Sequence, residues 1–124
     1  MYKRQVTALV SSTKHALRDD QILSVAAVSW SDRAYLSAYQ DWRSWLEDDR
    51  VDWVCLMSYT KDLRLFSHMV KQATPFTTSR SKLLAGIGSW ILKPQEIDQQ
   101  KQIAQANGAD GTVMFSYGNL LKKL

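Results

Sequence analysis

Cysteine, proline and histidine are scarce in this chain of 124 residues, which has one, two and two of them respectively. The single cysteine, Cys55, cannot form a disulfide within the chain, which excludes the cross-linked scaffold of a small secreted domain. It lies in the apolar run Val54-Cys55-Leu56-Met57 and reads as a small buried hydrophobe, not a nucleophile. His15 and His68 stand alone, with no cysteine or carboxylate at ligand spacing, so no metal site is expected. No cofactor is expected either. Gly86-Ile87-Gly88 is a fragment of a dinucleotide fingerprint and falls inside a strand, not at the turn into a helix. No serine or cysteine shows the strained elbow that activates a nucleophile.

Two further absences bound the partners. No apolar run is long enough to span a bilayer, and Met1-Tyr2-Lys3-Arg4 leads into an amphipathic segment instead of an export signal. The net charge of +4 comes from Lys and Arg spread along the chain, with Lys122-Lys123 the only basic run of note. No nucleic-acid motif accompanies the charge, so neither nucleic acid nor membrane is expected as a partner.

What is present is the composition of a folded globular domain, 45% hydrophobic and 23% charged. Val6, Leu9, Val10, Ala16 and Leu17 recur at helical spacing in the first segment. The run from Ile22 to Val28 is apolar and rich in β-branched residues, as a buried parallel strand requires. A helix follows, with Ser31 and Asp32 as candidate N-caps and Tyr35, Ala38, Tyr39, Trp42, Trp45 and Leu46 on one stripe. The second strand runs from Val51 to Tyr59, and the next helix carries Leu63, Phe66, Met69, Val70 and Ala73 until Pro75 stops it. Leu83 to Gly88 forms a third strand, and Pro94 opens a helix that reaches about Ala106. Asn107-Gly108 caps that helix, Thr112 to Phe115 is the fourth strand, and Asn119-Leu120-Leu121 begins another helix. Strands alternating with helices predict parallel pairing through right-handed crossovers.

Each strand ends in a serine followed by an aromatic: Ser29-Trp30, Ser58-Tyr59, Ser89-Trp90 and Ser116-Tyr117. The interval is about thirty residues, the length of a strand, a helix and two short loops. In a parallel α/β sheet the C-terminal strand ends share one side, so the four pairs are expected around a common mouth. Flat aromatic rings and short hydroxyls suit a saccharide, whose ring has apolar C–H faces and a polar rim.

The stretch from Val51 to Asp62, Val-Asp-Trp-Val-Cys-Leu-Met-Ser-Tyr-Thr-Lys-Asp, resembles the glycosyl hydrolase-like family ten proteins. The resemblance extends to Ser24–Val28, Leu84–Gly88 and Gly111–Tyr117, with Leu56 standing where relatives commonly have proline. It implies a (β/α)8 barrel, with residues 1–124 as a single partial domain matching strands five to eight, and a glycoside hydrolase-like function. A complete barrel takes about 250 residues, so an N-terminal half-barrel or a second copy of the chain is the expected partner, because bare strand edges invite pairing. Trp30, Tyr59, Trp90 and Tyr117 are then the cleft-lining aromatics, with Ser58, Lys61, Asp62 and Ser116 as polar neighbours of a bound saccharide. Hydrolysis needs two opposed carboxyl groups. Asp62 is the only weak catalytic candidate besides the still weaker Asp32, and helix capping is the simpler role for both. Asp52 and Asp110 precede their strands and belong to the opposite, stability face, while Glu47, Asp48 and Asp49 read as solvated surface. The chain alone is expected to be incomplete for catalysis. The contrasting readings are a non-catalytic structural or self-association module derived from a barrel, and a small flavodoxin-like domain with a different strand order.

Overall fold

In the computed structural model, which describes residues 1–122, the apolar runs form four parallel strands: β1 Ser24–Val28, β2 Trp53–Met57, β3 Lys82–Gly88 and β4 Gly111–Phe115. Lys123, half of the expected basic run, lies outside the described residues. The strands lie side by side in sequence order, β1-β2-β3-β4, with Ala26, Cys55, Leu84 and Gly111 in one row. This is the α/β arrangement of half a (β/α)8 barrel. A flavodoxin-like sheet would reverse its order at a switch point, and none occurs here.

The helices are α1 Tyr2–Ala16, α2 Ser31–Ser37, α3 Trp42–Glu47, α4 Leu63–Lys71, α5 Pro94–Ala106 and α6 Tyr117–Leu121, with short 3-10 turns at Thr74–Phe76 and Ser89–Ile91. Gly108, at φ 89, supplies the left-handed residue after α5 that the Asn-Gly pair predicts. The structure differs from the sequence reading in several local respects, among them the exposure of Tyr35 and Tyr39 and the end of α4 at Lys71, ahead of Pro75. The expected long helix from Ser31 breaks between Ala38 and Asp41, where Tyr39 takes φ 55 and the Gln40 N–H closes back on the Ala34 carbonyl at 2.9 Å. Neither Ser31 nor Asp32 is the N-cap of α2; Trp30 is, because its carbonyl already accepts the Ala34 N–H at 2.8 Å. On α1, Val6 and Val10 pack inward while Leu9 is exposed. Asp49 is half-buried, has φ 54, and accepts a hydrogen bond from Thr78, so it is not simply solvated surface.

One face of the sheet carries the core. Ala27, Val54, Leu56 and Leu83 pack with Ala34, Trp42, Trp45 and Leu46 of α2 and α3, joined by Val6 and Val10 of α1. Ala85 and Ile87 pack with Phe66 and Val70 of α4 and with Ile97 and Ala104 of α5. Side chains alternate along a strand, so Ala26, Trp53, Cys55, Met57, Leu84, Val113 and Phe115 point to the other face. None of these residues belongs to either cluster. This second face corresponds to the inside of a closed barrel.

The N-terminal strand ends are tied by acids, as their position on the stability face requires. The Asp52 carboxylate accepts the Leu23 N–H at 2.7 Å and pairs with Lys14 of α1. The Asp110 carboxylate likewise accepts the Leu83 N–H at 2.9 Å. Burial pushes the Asp52 carboxyl up, but the Lys14 hydrogen bond, the Leu23 N–H and the Lys14 charge together outweigh it and hold it below the usual aspartate value. A carboxyl depressed on folding stabilises the native state above its unfolded value, and that contribution disappears as pH falls through the folded one. Asp52→Asn is therefore expected to cost about 1 kcal/mol at pH 7, after discounting for solvent screening of a partly exposed pair. Chemical denaturation repeated from pH 7 downward should show the wild-type advantage shrinking below about pH 4.

Candidate functional site

Alternation and the ends of β2, β3 and β4 bring an aromatic group together on the open face. Tyr59 follows β2, and its ring lies 4.9 Å from Trp90 and 5.5 Å from Phe115, both in edge-to-face contact. Such tilted pairs are favoured because the positive edge of one ring meets the negative face of the other. The floor beneath them is bare backbone. A Cβ on Gly88 would stand 3.2 Å from the Trp90 ring and 3.3 Å from Tyr59 Cβ. One on Gly86 would stand 3.5 Å from Tyr59 Cε1 and only 2.1 Å from the Leu56 carbonyl oxygen. The two glycines of β3 therefore let Tyr59 and Trp90 lie down on the sheet. Trp90 remains 46% exposed, so one part of this shelf faces solvent.

Tyr59 and Trp90 are the only two of the four expected aromatics that meet in this group. Trp30 packs on His68 of α4, with ring centroids 5.5 Å apart. Tyr117 starts α6 and is 76% exposed. Phe115 takes the third place on the shelf, a residue that the Ser-aromatic pattern passes over. Strand parity could have found it, because Phe115 pairs with Gly88 and shares the face of Gly86.

The strand-end serines divide in the same way. Ser29, Ser58 and Ser89 are buried. The Ser29 and Ser58 hydroxyls are 2.8 Å apart, Gln72 donates to the Ser29 carbonyl at 2.8 Å, and Ser89 donates to the Phe115 carbonyl at 2.6 Å. Each of these hydroxyls ties one strand end to its neighbour, and Ser58 has no exposed surface. Ser116 is exposed and stays near the end of β4, where Asn119 donates to its hydroxyl at 3.0 Å.

Lys61 and Asp62 are exposed on the loop between β2 and α4. Asp62 is the N-cap of α4, and one of its carboxylate oxygens accepts the Arg64 and Leu65 N–H groups at 2.9 and 3.1 Å. Asp32 is exposed in the first turn of α2. The loop itself is held from below by Gln100, whose amide donates to the Thr60 carbonyl at 2.7 Å. Among the described residues no group of three or more His, Cys, Asp or Glu side chains could hold a metal ion.

The shelf is uncharged at neutral pH. Burial pushes the Tyr59 phenol above its ordinary value, with a further rise from nearby Cys55, and burial likewise pushes the Cys55 thiol up. Tyr59 thus offers a neutral hydroxyl and an aromatic face.

The contact between Gly86 and Leu56 makes this floor intolerant of a side chain. Gly86→Ala is expected to destabilise the chain by about 2–4 kcal/mol, since backbone must move to admit the methyl group. Gly118→Ala, where a Cβ would meet nothing within 4 Å, is the matched control and should leave the thermal melt, followed by circular dichroism, unchanged. The chain matches no protein-family model, no curated protein and no solved structure.

Proposed function

We propose that the chain binds a saccharide on the shelf formed by Tyr59, Trp90 and Phe115, as a glycoside hydrolase-like portion that does not hydrolyse it unaided. The observation that carries this reading is the half-exposed Trp90 ring, backed by Tyr59 and seated on Gly88 at the C-terminal end of a parallel sheet. A ring held in this way loses little freedom when a pyranose stacks on it, and the C–H face of the sugar covers apolar surface. Lys61, Asp62 and Ser116 are the exposed polar groups at neighbouring strand ends, and they supply donors and acceptors for hydroxyls.

The carboxylates support binding without turnover. Glycoside hydrolysis in its usual form places one carboxyl group on each side of the scissile bond. Asp62 has one of its two carboxylate oxygens occupied by two helix N–H groups, and Asp32 stands at the start of a different helix. A second reading draws on the open sheet face, where Trp53, Met57 and Leu84 are only half-buried: a second copy of the chain or a complementary half-barrel covers it, and the module serves assembly.

Calorimetric titration with a panel of neutral oligosaccharides tests the first reading, with Trp90→Ala expected to weaken binding by at least about tenfold. Trp30→Ala, which alters a ring packed on α4, should leave the affinity near wild type. Absence of heat and of tryptophan fluorescence change across the panel would overturn it, whereas light scattering on the same samples addresses the second.

A further inference from the structure

The break between α2 and α3 puts two side chains on the outer edge of β1. Leu23 directs both backbone groups at β2: its carbonyl accepts from Asp52 and Trp53 at 3.0 and 3.1 Å, and its N–H goes to the Asp52 carboxylate. In-plane directions alternate along a strand, so Val25 and Ala27 also face β2, while Ser24, Ala26 and Val28 face away from it. An edge of this kind is a template for another strand. Here its upper half is occupied. The Val28 N–H donates to Gln40 Oε1 at 2.9 Å, and the Val28 carbonyl accepts from the Trp42 indole N–H at 2.9 Å. Gln40 Nε2 also approaches the Ala26 carbonyl, at 3.5 Å.

The brace is built in at some local expense. Tyr39 holds φ 55, a left-handed value that L side chains rarely adopt. That turn interrupts the helical stripe and allows Gln40 and Trp42 to face the strand edge. Trp42 is fully buried and packs edge-on against Phe76, so its N–H is fixed in place.

We infer that Gln40 and Trp42 form an edge guard that closes β1 to strand addition by a second copy of the chain. The guard does for β1 what a paired strand would do in a closed barrel, and it does so from within the same chain. Continuation of the sheet past β1 requires the Gln40 and Trp42 bonds to Val28 to break first. This inference is independent of any saccharide bound at the shelf, and it leaves a second copy the open sheet face and the β4 edge, not the β1 edge, to assemble on.

Amide hydrogen exchange followed by NMR tests the guard, using the full chain and two variants. Gln40→Ala removes a half-buried side chain outside the core, and the double variant Gln40→Ala, Trp42→Phe keeps an aromatic ring in the Trp42 site. In the wild type, Val28 should be protected while Ser24 and Ala26 exchange freely at every protein concentration. In Gln40→Ala, the Val28 amide should exchange at least about tenfold faster while Ala27, bonded to β2, is unchanged. In the double variant, Ser24 and Ala26 should become protected as concentration rises, together with a larger sedimentation coefficient. Unchanged Val28 exchange in Gln40→Ala overturns the inference. So does protection of Ser24 and Ala26 in the wild type, or their free exchange in the double variant up to about millimolar concentration.

Discussion

Everything in this molecule depends on how a parallel sheet satisfies itself when its strands are laid down in one direction. Each right-handed crossover from one strand to the next places its helix on the same side, so sequential order gathers α1 to α5 on one face. Burial of Leu56, Leu83, Ala85 and Ile87 against those helices is the main stabilising term. The same winding leaves the opposite face without a helix layer and leaves two strands with an unpaired edge. The aromatic shelf and the Gln40–Trp42 brace are local answers to those two consequences.

On the uncovered face, glycine does what a side chain could not. Gly86 and Gly88 hold β3 flat enough for Tyr59 and Trp90 to cover backbone that would otherwise face water. The rings thereby gain a fixed orientation from packing, not from hydrogen bonds. At the ends of the strands the polar work is divided. Asp52 and Asp110 receive free N–H groups at the N-terminal side, and Ser29, Ser58 and Ser89 link adjacent ends at the C-terminal side. Ser29, Ser58 and Ser89 are therefore fastening groups, and the saccharide reading rests chiefly on the aromatics.

The alternation of strands and helices was legible because a buried parallel strand is a short apolar run and a surface helix carries a stripe, and the two periods differ. The cap at Asn107-Gly108 and the helix start at Pro94 were legible for equally local reasons. The break after Ala38 was not. Tyr35, Ala38, Tyr39 and Trp42 keep helical spacing, and the bonds that Gln40 and Trp42 make to the Val28 backbone, which accompany the break, join segments twelve and fourteen residues apart. The site was half legible for a similar reason. A serine-aromatic repeat marks strand ends, but which face a ring adopts there depends on the neighbouring strand.

The amino-acid sequence by itself determined the order of the four strands, their alternation with helices and their parallel pairing, since these follow from local patterning, and its single cysteine excludes an intrachain disulfide. Tertiary structure alone decided that Phe115 and not Tyr117 joins Tyr59 and Trp90, that Ser58 is consumed by Ser29, and that Gln40 and Trp42 close β1. Each of those outcomes depends on contacts between segments far apart in the chain, and a one-residue slip of β4 against β3 would turn Phe115 to the other face.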